Sequence, residues 1–165
     1  MPLAKELNLD LPFEDVRHET VLSVVHTATM LAAAGDELFR KFKLTEAQFN
    51  VLLVLKYKRG KLTQTDLGHR LVVTRASITS VLDRLEAKGL TERKDVPDDR
   101  RTYHVELTKR GKATVEKIEP IYRDTIHQVT AALNEADCAA LNAFLERVRV
   151  GINEGLAAGP RGPKT

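Results

Sequence analysis

The sequence predicts a mainly α-helical chain carrying one small β-hairpin. Three observations predict it. Apolar residues recur at helical spacing through most of the 165 residues, strict alternation is confined to two short stretches around "PDDRR", and Thr caps stand before several of the helical runs.

The first long run, Phe13 to Phe42, repeats Val21, Leu22, Val25, Thr29 and Ala32 at helical spacing and has no proline after Pro12. "LTEAQFNVLLVLKYKRG" follows. Thr45 and Gln48 have capping-box spacing, Gly60 supplies a stop, and Phe49, Leu52, Leu53 and Val54 make the helix nearly apolar all round. It is expected to be central and buried. "LTQTDLGHRL" reads as a short helix capped by Thr63, with Asp66 in its first turn and Leu67 and Leu71 facing inward. Gly68 costs that helix about 1 kcal/mol relative to Ala, so a close helix crossing is expected there.

After Val72 and Val73, Thr74 caps a helix that Gly89 ends in the left-handed conformation. Ile78, Val81, Leu82 and Leu85 form its buried stripe. Its other side carries Ala76, Thr79, Ser80, Asp83 and Ala87, small and hydroxylic where a merely soluble helix carries Lys and Glu. Two short helices joined by about three residues, the second with such a face, form a helix-turn-helix. "LTERKDV" and "TYHVEL" then alternate on either side of "PDDRR", giving a hairpin with Arg93 and Lys94 on one side and Arg100 and Arg101 at its tip. A basic hairpin appended to a helix-turn-helix is a wing. Thr108 caps a long helix that Pro120 is expected to kink, and a last helix starts near Asn134 with the stripe Leu141, Phe144, Leu145 and Val148. The tail "AAGPRGPKT" is Gly/Pro-rich and is expected to be disordered.

The net charge of +3 conceals an asymmetry: from Lys56 to Lys112 there are 15 Lys and Arg against 8 Asp and Glu, whereas the rest of the chain has 11 against 15. A basic middle between acidic ends is an electrostatic footprint for a polyanion. Small side chains let a helix backbone settle into a groove about 12 Å wide, and Thr or Ser hydroxyls donate to phosphate or base acceptors. Arg75, in the first turn, can make a bidentate contact with guanine, and an arginine at a hairpin tip suits a narrow groove of high negative potential. Asp83 is discordant. Facing phosphates it requires a partner, which is Arg84, another basic residue, or a cytosine amine.

Other classes fit poorly. No apolar run approaches the roughly 18–20 residues of a membrane span, and the N-terminus lacks a basic segment followed by an apolar one, so a cytoplasmic protein is expected. One cysteine, Cys138, rules out a disulfide framework within the chain and reads as a buried structural thiol. Five scattered His show no metal-ligand spacing. Neither Gly-x-Ser-x-Gly nor His-Glu-x-x-His is present, so no catalytic residues, metal or cofactor are expected and the chain reads as no enzyme. A winged helix that binds an acidic protein partner is the alternative to one that binds nucleic acid.

The run from Leu44 to Thr108 resembles the multiple-antibiotic-resistance regulator (MarR) family of winged-helix transcription factors. The resemblance rests on "LTEAQFNVLLVL", "LTQTDLGHRLVVTRASITSVLDRLEAKGLTERK" and "PDDRRTYHVELTKRGK" in that order. It implies a winged helix-turn-helix with N- and C-terminal dimerisation helices. The divisions are residues 1–43 for the N-terminal dimerisation helix, 44–112 for the DNA-binding domain, 113–156 for the C-terminal dimerisation helices and 157–165 for the tail. It implies a homodimer on palindromic double-stranded DNA, acting as a repressor released by a small aromatic or phenolic effector.

In that reading the recognition helix enters the major groove with Thr74, Arg75, Ala76, Ser77, Thr79, Ser80 and Arg84. The wing puts Arg101 at the minor groove, held by Asp99 two residues earlier, with Arg100 on a neighbouring phosphate. His18 and His26, two turns apart on the first helix, are the candidates for effector binding. The family's peroxide-sensing branch carries a cysteine early in the first helix, which this chain lacks.

Overall fold

The computed structural model describes residues 3–71, 75–96 and 99–157, without the side chains at 75–77, 96 and 99–101. The chain divides into two compact units, Met1–Glu119 and Pro120–Thr165.

In the first unit a short helix α1 (Leu3–Glu6) precedes α2 (Val16–Arg40). Asp15 caps α2, its carboxylate accepting from the Arg17 N–H at 2.9 Å, so the helix starts three residues later than Phe13. Lys43, at φ 57°, turns the chain into α3 (Glu46–Tyr57). There Thr45 and Gln48 form the expected capping box, each side chain accepting from the other's backbone N–H at 3.3 Å. Phe39 at the end of α2 stacks on Phe49 of α3, ring centroids 4.7 Å apart. Phe49, Val51, Leu52 and Leu55 are buried, whereas Leu53 and Val54 are half-buried, so α3 is central on one side and open on the other.

Strand β1 (Leu62–Thr63) leads into α4 (Gln64–Arg70), where Thr63 and Asp66 cap one another. The Asp66 carboxylate accepts from the Thr63 N–H at 2.8 Å, and those bonds hold its pKa below the usual carboxylate range. Helix α5 (Arg75–Ala87) follows, and the Thr74 cap lies outside the described residues. Gly89 sits at φ 66° as the C-terminal glycine. Strands β2 (Thr91–Val96) and β3 (Asp99–Leu107) form an antiparallel hairpin, and β1 adds to β3 in the order β1-β3-β2. The core under the hairpin joins Ile78, Leu82 and Leu85 of α5 to Leu67, Val105, Val115 and Ile118.

The close approach falls at a different glycine from the one the sequence suggested. A Cβ on Gly68 would lie 3.8 Å from Ile78 Cγ2, ordinary contact, so no crossing there demands glycine. On Gly111 it would lie 2.0 Å from the Leu90 carbonyl oxygen. The start of α6 (Lys109–Val129) is pressed against the end of α5 at that point. Thr108 adds two bonds to the same junction, its N–H to Leu90 O at 3.1 Å and its hydroxyl to Gly89 O at 2.7 Å.

Helix α6 continues through Pro120, where the division between the units falls. The second unit holds the rest of α6 and α7 (Glu135–Ala157). Asn134 and Asp137 cap α7 reciprocally, at 2.9 and 3.1 Å. The expected stripe is present, but Leu141, Phe144 and Val148 face solvent, Phe144 with 58% of its surface exposed. Cys138 is half-buried rather than buried. Residues 158–165 lie outside the described residues.

Candidate nucleic-acid interface

Helix α5 presents its two sides as its sequence pattern requires. Ile78, Leu82 and Leu85 are buried and Val81 half-buried, while Thr79, Ser80, Asp83, Arg84 and Ala87 are exposed. Arg75, Ala76 and Ser77 form its first turn; their side chains, like Thr74, lie outside the description. Asp99, Arg100 and Arg101 are not in the turn. They open strand β3, with Asp99 paired to Val96 past a bulge at Asp95, so the turn is shorter than "PDDRR" suggests.

Arg93 is not a free cation on the wing. The register sets it opposite Val105, on the same sheet face as Tyr103 two residues away, and that face packs on α5. Its guanidinium bonds both Asp83 and Glu86 of α5 and lies over the Tyr103 ring, 4.8 Å from the centroid. Burial pulls its pKa down, but Asp83, the Tyr103 hydroxyl and Glu86 override this and hold it above the ordinary arginine value. The discordant Asp83 therefore has its partner, and it is Arg93 rather than Arg84. Lys94, on the opposite face of β2, pairs with Glu92 at 3.3 Å and Glu106 at 2.8 Å; its bond lowers the Glu106 pKa and raises its own.

Other basic residues of the middle segment also serve the fold. Lys56 bonds Glu119, which raises the lysine pKa, and Lys58 donates to Val105 O at 3.1 Å. Lys88 donates to Lys43 O at 2.6 Å and Gln48 Oε1 at 2.9 Å, with its pKa lowered by burial and then by Arg84. Exposed Arg59, Lys61, Arg70, Arg84, Lys109, Arg110 and Lys112 carry the positive surface outward.

Two polar residues join this site that sequence reasoning did not single out. Tyr103 donates its hydroxyl proton to Gln64 Oε1, and Gln64 Nε2 donates to Thr79 Oγ1 at 2.6 Å. Strand parity was the available signal, since Tyr103 shares its face with buried Val105. His18 meets the edge of Phe13 at 5.8 Å, and His26 lies 3.4 Å from Glu6. Among the described residues, no group of three His, Cys, Asp or Glu is placed to hold a metal, and no helix is long and apolar enough to cross a membrane.

A family model, "MarR family", matches residues 44–103, the segment from the start of α3 into the wing. The HTH-type transcriptional regulator MhqR of Bacillus subtilis (strain 168) is 32% identical over 113 residues, covering 68% of this chain and 76% of that protein. The chain belongs to the MarR family. MarR proteins are DNA-binding transcriptional regulators rather than enzymes, and this chain is a winged helix-turn-helix regulator of transcription. Solved MarR-type structures share its fold. The S. aureus MepR–DNA complex superimposes with a TM-score of 0.71 at 22% identity, covering 79% of this chain and 96% of that one. Bordetella bronchiseptica BpsR, whose DNA binding is regulated by 6-hydroxynicotinic acid, gives 0.64 at 28%, covering 77% and 98%.

Proposed function

We propose that this MarR protein is a homodimeric repressor of palindromic duplex DNA, released by a small aromatic or phenolic effector. One observation carries the DNA reading: α5 turns an exposed row of small and hydroxylic side chains outward, Thr79 and Ser80 among them, while its opposite stripe is anchored in the core. In this reading Thr74, Arg75, Ala76, Ser77, Thr79, Ser80 and Arg84 meet the major groove. Asp99, Arg100 and Arg101 bring the wing to the minor groove. Dimerisation is supported by the apolar surface that each unit leaves uncovered: Val21, Val25 and Leu31 on α2 in one, and Leu141, Phe144 and Val148 on α7 in the other.

The effector fits a cavity between α3 and α4. Ala47, Leu53, Val54 and Leu71 give it apolar walls, Asn50 and Glu46 offer polar groups for a phenol hydroxyl, and Arg70 supplies one cation for a carboxylate. His18 and His26 do not line it. Filling it would load α4, the helix before the reader, and so shift the reading heads.

Binding to a palindromic duplex tests the reading. Affinity should fall steeply with salt, Arg101→Ala should weaken binding to all sequences, and Arg75→Ala should cost about 1–3 kcal/mol and relax sequence preference. Salt-insensitive binding with both variants unchanged would favour a winged helix that contacts protein. An aromatic acid that releases DNA from wild type but not from Arg70→Ala would place the effector; release from both would move it elsewhere.

A further inference from the structure

We propose that Gln64 and Tyr103 set the hydrogen-bond polarity of Thr79, so that Thr79 reads an acceptor on a base edge and Gln64 determines specificity without touching DNA. The inference rests on the reading above in which α5 occupies the major groove.

The argument follows the protons. The Arg93 guanidinium has donors only and lies over the Tyr103 ring, near its hydroxyl. Facing that cation, the phenolic oxygen keeps its lone pairs toward Arg93 and sends its own proton to Gln64 Oε1. The Gln64 amide then has one orientation. Its carbonyl oxygen is used by Tyr103, so its NH₂ points to Thr79 and donates to Oγ1 at 2.6 Å. With its oxygen engaged as acceptor, Thr79 directs its own proton away from Gln64.

Thr79 takes a hydrogen bond from a side chain of another helix. On α2 and α6, Thr20, Thr29, Thr114 and Thr125 each give the hydroxyl proton to the carbonyl four residues back within their own helix. The Thr79 oxygen accepts from outside its own helix, from a side chain on α4 fixed by one on the wing. A donor aimed into the major groove meets guanine O6 or N7, adenine N7 or thymine O4, and is mismatched against the amines of cytosine and adenine. The relay also closes on itself, because Arg93 bonds Asp83 and Glu86 of the helix that carries Thr79. The polarity is thus set within one connected network of α4, α5 and the wing.

Selection of bound sequences from a random duplex pool tests this, with wild type, Thr79→Val, Gln64→Glu and Tyr103→Phe compared and the melting temperature of each recorded. Wild type should prefer an acceptor-bearing base at one position per half-site, by roughly five- to tenfold, and Thr79→Val should lose that preference. In Gln64→Glu the carboxylate accepts from both neighbours, so the Thr79 oxygen faces outward and the preference should move to a base offering an amine. Tyr103→Phe frees the amide to flip, and the preference should drop below about twofold.

If Thr79→Val loses the preference while the other two variants keep it, the relay is wrong and the Thr79 contact stands. If Thr79→Val keeps it and merely binds all sequences less tightly, Thr79 meets a phosphate, and the base-edge proposal falls. If Thr79→Val changes nothing, Thr79 makes no contact with DNA and the proposal falls, while the Arg75→Ala result decides the placement of α5 separately.

Discussion

At the level of single residues, part of the basic charge holds the reader in place rather than facing outward. Arg93 is the clearest case: two carboxylates of α5 and one aromatic ring of β3 converge on it. Arg93→Met should cost about 1 kcal/mol in stability, a modest loss because Asp83 and Glu86 are partly exposed. It should lower DNA affinity by roughly tenfold, the equivalent of about 1.4 kcal/mol, although the residue faces away from the groove. Chemical denaturation and a binding titration on the same samples check both numbers. Asp66 gives a pH signature. Its folded pKa is held below the ordinary aspartate value by the Thr63 bonds, so its contribution is complete above the unfolded pKa and is lost as pH falls through the depressed one. Asp66→Asn should flatten that part of the acid limb of stability against pH, read from urea midpoints between about pH 2 and 6.

At the level of elements, legibility followed how local the cause was. Caps at Thr45, Thr63 and Thr108 were readable because cap and partner sit three residues apart. The stripe of α5 was readable because its period is its own. Whatever depended on a second element was not. The alternation of "LTERKDV" announced a strand, yet only the pairing of Arg93 with Val105 shows that Arg93 faces α5 while Lys94 faces the other way. The same limit explains the glycines, since no sequence pattern says which one meets a foreign backbone. Gly68→Ala should be tolerated and can stabilise α4 by up to about 1 kcal/mol. Gly111→Ala should destabilise by several kcal/mol or prevent folding, because the obstacle is backbone and cannot move aside. Thermal melts of the two variants side by side decide this.

For the whole molecule, the apolar stripes of α2 and α7 were read correctly as stripes, but neither unit buries its own. Their burial belongs to the assembly we propose, which a single sequence cannot display. Phe144→Glu should give a monomer by sedimentation, at the 18.4 kDa of one chain, and should weaken binding to a palindrome by roughly a hundredfold through loss of the second half-site. The junction of Gly111 with Leu90 bears on how such an assembly could be controlled. Where a methyl group has no room, the first turn of α6 and the backbone at Leu90 are held at one fixed spacing, so the reader helix and the wing that follows it share a rigid footing whose keystone is a glycine.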